Sequence, residues 1–107
     1  MSTFKHLNPN QLVTMLSEGE VQIVDIRDEG SYATGHIPGA QLLDNSGLQA
    51  FIESANLDTP LVVCCYHGNS SQPAAAFLHD RGFDDVYSLD GGFSGWQTLY
   101  PDRIERN

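Results

Sequence analysis

Cys65 closes the apolar run Leu61-Val62-Val63-Cys64-Cys65 and opens the segment Tyr66-His67-Gly68-Asn69-Ser70-Ser71. A thiol at the mouth of such a segment is a candidate nucleophile, provided its surroundings favour the thiolate. An ordinary cysteine, with a pKa of about 8.5, is only a few per cent ionised at pH 7. Lowering that value by about two units takes roughly 2.7 kcal/mol of preference for the anion. A helix N-terminus supplies about 0.3–1 kcal/mol, rising to about 2 when partly buried, which falls short. Two or more hydrogen bonds from backbone amides make up the difference. Gly68 stands where the loop must bend, and glycine tolerates the positive φ that turns successive amides toward one point. Ser70 or Ser71 can cap the helix that follows, with Pro73 in its first turn.

The neighbouring groups read differently. Cys64 lies inside the strand run and is expected in the core, and a vicinal disulfide to Cys65 would strain the chain. His67 invites a cysteine–histidine pair, but a histidine two residues along a tight loop need not face the sulfur. No carboxylate that would orient it is evident, so it reads as an exposed or pocket-lining side chain. Four scattered histidines and two vicinal cysteines lack the usual spacing of metal ligands, and no metal is expected.

The elements that must hold this loop follow from periodicity. Asn8 is a helix cap, Pro9 suits the first helical position, and Gln11 completes a capping box. Leu7 and Leu12 form a hydrophobic staple, Leu12, Met15 and Leu16 an apolar stripe, and Gly19 the end. Strands are predicted over 21–26, 41–43, 61–65 and 86–89, with a short edge strand over 3–6. Helices are predicted over about 46–55, 71–81 and 93–100. Alternation of this kind indicates an α/β domain with parallel pairing and right-handed crossovers. The run from Leu61 to Cys65 has no polar alternation and reads as a central strand buried on both faces. Ligands of such sheets sit beyond the C-terminal strand ends, where Cys65 falls.

Length and charge set the outer bounds. The 107 residues suit one domain spanning residues 1–107. Five Lys and Arg stand against fourteen Asp and Glu, a formal net charge of -9, which argues against nucleic acid or an anionic membrane as partner. No run approaches the roughly 20 apolar residues of a membrane span, and the N-terminus has no signal-peptide character. The expectation is a cytoplasmic protein with free thiols.

Four segments together resemble the rhodanese family: Val24-Asp25-Ile26-Arg27, Gly35-His36-Ile37-Pro38-Gly39-Ala40, Cys65 with its loop, and Asp90-Gly91-Gly92-Phe93 with Trp96. Their order covers nearly the whole chain, and the loop is most similar to the short single-domain bacterial members of the glycerol regulon, which are thiosulfate sulfurtransferases. The resemblance implies a three-layer α/β/α domain around a five-stranded parallel sheet. It further implies that thiosulfate gives its outer sulfur to Cys65. The persulfide would pass that sulfur to cyanide, another small thiophile, or a thiol acceptor such as thioredoxin. No cofactor is implied. Tyr66, His67, Gly68, Asn69, Ser70 and Ser71 would form the substrate-binding loop, with Asp25 and Arg27 bracing it. His36, Phe93 and Trp96 read as scaffold. Many rhodaneses have arginine at the sixth loop position, where this chain has Ser70. A cysteine-dependent phosphatase or arsenate reductase also relies on such an arginine, and none occurs between Cys65 and Arg81. A non-catalytic binding module of the same fold remains the alternative from another class.

Overall fold

In the computed structural model, which describes residues 4–107, the chain begins with strand β1 (Lys5–Leu7) and turns at Asn8 into helix α1 (Pro9–Glu18). The Asn8 side chain accepts the Gln11 N–H and the Gln11 side chain accepts the Asn8 N–H, both at 2.8 Å, so the capping box is complete. Leu7 and Leu12 are buried in one cluster, as a staple requires. Then follow β2 (Gln22–Asp25), α2 (Glu29–Thr34), β3 (Gln41–Leu42), α3 (Leu48–Ser54), β4 (Leu61–Cys64), α4 (Ser71–Asp80), β5 (Val86–Leu89) and α5 (Gly92–Leu99).

The five strands pair in the order β1-β5-β4-β2-β3, parallel throughout. Alternation along β4 divides the core. Val62 and Cys64 face a cluster with Leu12 of α1 and with Phe93 and Trp96 of α5. Leu61 and Val63 face the opposite cluster, with Phe51 of α3 and Ala75 and Leu78 of α4. Helices therefore cover both faces of the sheet. All four residues of β4 are buried, as the unbroken apolar run predicts for a central parallel strand. Among the described residues no helix is long and apolar enough to cross a membrane.

Three local expectations change. Helix α2 was not foreseen, because Glu29-Gly30-Ser31-Tyr32-Ala33-Thr34 has poor helical propensity. Asp28 holds it by capping the Ser31 N–H at 3.0 Å, and Tyr32 packs against the core. Leu16 is exposed, and Val13 packs against the core beside Met15 in its place. The edge strand lies at Lys5–Leu7, and Thr3, where it was expected to begin, falls outside the described residues.

Candidate active site

The loop from Cys65 to Ser71 leaves the central strand and winds into α4 around one sulfur atom. The Gly68 N–H reaches Cys65 Sγ at 3.2 Å and the Ser71 N–H at 3.3 Å. The Ser71 hydroxyl oxygen lies 3.3 Å from the same sulfur. Ser70 occupies the N-cap position of α4 and makes no side-chain cap bond, and Sγ accepts the Ser71 amide, the first of the helix's unpaired N–H groups. Burial alone would push the Cys65 thiol up. The Ser71 hydroxyl and the amides of Ser71, Gly68 and His67 outweigh it and leave the thiol below its ordinary value. Cys64 has the opposite fate. Its side chain points into the other core cluster, and burial together with the nearby Asp25 carboxylate pushes its thiol far up.

Two glycines make the loop geometry possible. Gly68 has φ +87°, and a Cβ there would lie 2.9 Å from the Gly91 nitrogen and 3.1 Å from the Leu89 oxygen. Gly92, with φ +57°, approaches more closely still: its Cβ would stand 2.3 Å from the Cys65 carbonyl oxygen. That closeness lets the first turn of α5 seat the loop. The Phe93 N–H donates to the Cys65 carbonyl at 2.7 Å and the Ser94 N–H to the Tyr66 carbonyl at 3.0 Å. The Gln72 side chain donates to the Gly68 carbonyl at 2.9 Å, closing the other flank.

The wall opposite the loop comes from the end of β2. Asp25 and Arg27 are both buried and bind each other, with Nε 3.0 Å from Oδ1 and Nη2 2.7 Å from Oδ2. Arg27 Nη2 also donates to the Gly35 carbonyl at 2.7 Å, and the guanidinium lies over the Phe93 ring, 4.2 Å from its centre. Burial works against the charged guanidinium, yet the Asp25 carboxylate more than offsets it and holds the Arg27 pKa up. Asp28, next along the chain, accepts the Tyr66 hydroxyl at 2.7 Å and so ties the loop to α2. Tyr66 and the N–H and O–H of Ser31 pull the Asp28 carboxyl down to about 2.

Between these walls lies a cleft of about 400 Å³ lined by Ile26, Arg27, Asp28, Cys65, Tyr66, His67, Asn69 and Ser70. Gly68 and Ser71 are buried at the sulfur, whereas Tyr66, His67, Asn69 and Ser70 are exposed around the mouth. No hydrogen bond joins the His67 imidazole to Cys65. Asp25 is fully buried and binds Arg27, which lines the cleft and also donates to the Gly35 carbonyl. His36 is buried, its Nδ1–H donates to the Tyr32 carbonyl at 2.8 Å, and its ring stacks on Tyr32 with centroids 3.8 Å apart. Among the described residues no three His, Cys, Asp or Glu side chains converge as metal ligands would.

Sequence reasoning missed two contributors. One is Asp28, the hub that joins loop and α2. The other is Ser88, whose hydroxyl lies 2.7 Å from that of Ser71 in a fully buried pair. A serine within the strand run Val86-Tyr87-Ser88-Leu89 was the available signal, since buried parallel strands are otherwise apolar.

The chain is similar to known proteins in sequence and in fold. A model of the rhodanese-like domain matches residues 8–99. The thiosulfate sulfurtransferase GlpE of Shewanella oneidensis is 62% identical over 96 residues, which cover 90% of this chain and 95% of that protein. Its namesake from Pseudomonas fluorescens SBW25 is 55% identical over 104 residues, covering 97% and 94%. In structure, the rhodanese-like domain protein of Staphylococcus aureus superposes with a TM-score of 0.82 at 27% identity, over 97% of this chain and 99% of that one. The family match over most of the chain and the identity to these relatives show that the chain belongs to the rhodanese-like family.

Proposed function

We propose that this protein is a thiosulfate sulfurtransferase that carries sulfur as a persulfide on Cys65, the activity for which its relatives are named. The observation that carries the reading is the pair of amides, Gly68 and Ser71, aimed at Cys65 Sγ, with the Ser71 hydroxyl 3.3 Å away, in a cleft beyond the sheet's C-terminal edge. The Cys65 thiolate attacks the outer sulfur of thiosulfate, a new S–S bond forms, and the old one breaks with its electron pair leaving on sulfite. The product is the Cys65 persulfide anion. Cyanide or a thiolate acceptor such as thioredoxin then takes the terminal sulfur and returns the Cys65 thiolate. The loop donors serve both anions, since thiolate and persulfide occupy the same pocket.

Tyr66, His67, Asn69 and Ser70 would meet the donor at the cleft mouth, while Asp25 and Arg27 keep the opposite wall in place. No cofactor enters these steps. Two free thiols suit a reducing cytoplasm, and the acidic surface suits neither nucleic acid nor an anionic membrane. A phosphatase would clamp a phosphoryl group with arginine. Here the cleft's guanidinium, Arg27, already binds Asp25 and Gly35 through Nε and Nη2.

Intact-protein mass after incubation with thiosulfate should show one added sulfur, located on Cys65 and removed by cyanide. Cys65→Ser should neither gain the sulfur nor form thiocyanate. Wild-type turnover in that variant, or aryl phosphate hydrolysis faster than thiocyanate formation, overturns the reading.

A further inference from the structure

The Cys65 thiolate needs donors, and one of them, the Ser71 hydroxyl, is an ambiguous group. A hydroxyl has a single proton and can point it either at the sulfur or away. Ser71 Oγ lies 3.3 Å from Cys65 Sγ on one side and 2.7 Å from Ser88 Oγ on the other. Its proton can serve only one of them.

Ser88 resolves the ambiguity. It is fully buried on β5, and among the described residues the Ser71 hydroxyl is its one hydrogen-bond partner. If Ser71 pointed its proton at Ser88, the Ser88 proton would be left buried without an acceptor, which is unfavourable. Once the sulfur is a thiolate, donation from Ser88 to Ser71 places every proton and directs the Ser71 proton at the sulfur. We propose that Ser88 is a positioning residue for the sulfur chemistry: it fixes the polarity of the chain Ser88 O–H to Ser71 O–H to Cys65 Sγ, so that a donor faces the anionic sulfur and favours the thiolate over the thiol. This deepens the sulfurtransferase reading and rests on it for the persulfide step alone. The other charged and titratable groups around the sulfur are Cys64, the Asp25–Arg27 pair, Asp28, Tyr66 and His67, and none hydrogen-bonds to Ser71 or Ser88. On β1, His6 is the register partner of Ser88 and bonds Asp90.

The test is a double-mutant cycle read by the pH dependence of Cys65 alkylation with iodoacetamide, with the adduct located by mass. In Ser88→Ala the midpoint should rise by about half to one pH unit, making alkylation roughly 3–10-fold slower at pH 7. Ser88→Thr, which keeps a hydroxyl, should stay near the wild-type midpoint. In a Ser71→Ala background, Ser88→Ala should have no further effect, because its target is gone. An unshifted midpoint in Ser88→Ala overturns the proposal. So does a shift that persists at full size without Ser71, which would mark a packing effect. Iodoacetamide reads the thiolate without any sulfur donor. Failure of thiosulfate to load wild-type Cys65 would therefore count against the sulfurtransferase reading and leave the alkylation result to judge Ser88.

Discussion

Cys64 and Cys65 are chain neighbours with opposite chemistry, and the period of a strand is the reason. Successive side chains leave a strand on opposite faces, so Cys64 enters the core beneath α5 while Cys65 meets the loop amides. Burial raises the first thiol, and donors lower the second despite its burial. The linkage has a definite sign. A folded-state pKa below the unfolded one adds stability as pH rises from the folded value toward the unfolded value of about 8.5, and that increment is lost as pH falls through the folded value. Wild type should therefore gain stability relative to Cys65→Ser across that window, seen in urea midpoints measured on either side of it. Its alkylation midpoint should lie below that of a free thiol. A stability difference that does not change with pH would show that the amides hold a thiol and not a thiolate.

The elements matter through where they end. β4 delivers the sulfur, α4 offers its first free amide, and α5 begins beneath the loop so that its own first amides hold the Cys65 and Tyr66 carbonyls. The Asp90-Gly91-Gly92-Phe93 segment was legible in the sequence as a family mark, but its task was not, because a close backbone approach leaves no periodic trace. Gly92→Ala tests that task. Its Cβ would stand 2.3 Å from the Cys65 carbonyl oxygen at a φ of +57°, so both sterics and backbone conformation oppose it. We expect a loss of about 3 kcal/mol or more, or a thermal midpoint lower by about 12 °C, in calorimetry. Gly19→Ala, where a Cβ meets nothing within 4 Å, should change the midpoint by far less. Equal effects at the two glycines would remove α5 as the seat of the loop. Helix α2 was illegible for a related reason: its residues are poor helix formers, and the Asp28 cap and Tyr32 packing hold it.

At the scale of the whole molecule, charge and site pull in different directions. The net charge is -9, Asp28 on the cleft wall stays ionised to about pH 2, and Arg27 is tied to Asp25. A dianionic sulfur donor bound at the proposed site would approach against this field and be held only at short range by loop donors. Screening should therefore help it. Raising ionic strength from about 0.01 to 0.15 M shortens the Debye length from roughly 30 to 8 Å. The kcat/KM for thiosulfate should rise several-fold over that range, while the rate with neutral iodoacetamide should change little. A thiosulfate rate that falls with salt would point to a local positive field that outweighs the acidic surface.

Residue order alone determined the alternation of strands and helices apart from α2, the central place of β4, the capping box at Asn8 and the candidacy of Cys65. Each depends on neighbours a few residues apart, where periodicity, caps and glycines act directly. Tertiary structure decided what no local pattern encodes: that Asp25 binds Arg27 at the cleft wall, that Asp28 anchors Tyr66, and that Ser88 on β5 meets Ser71 on α4. Those contacts join separate elements, and they exist only once parallel strands and their crossovers bring the strand ends to one edge.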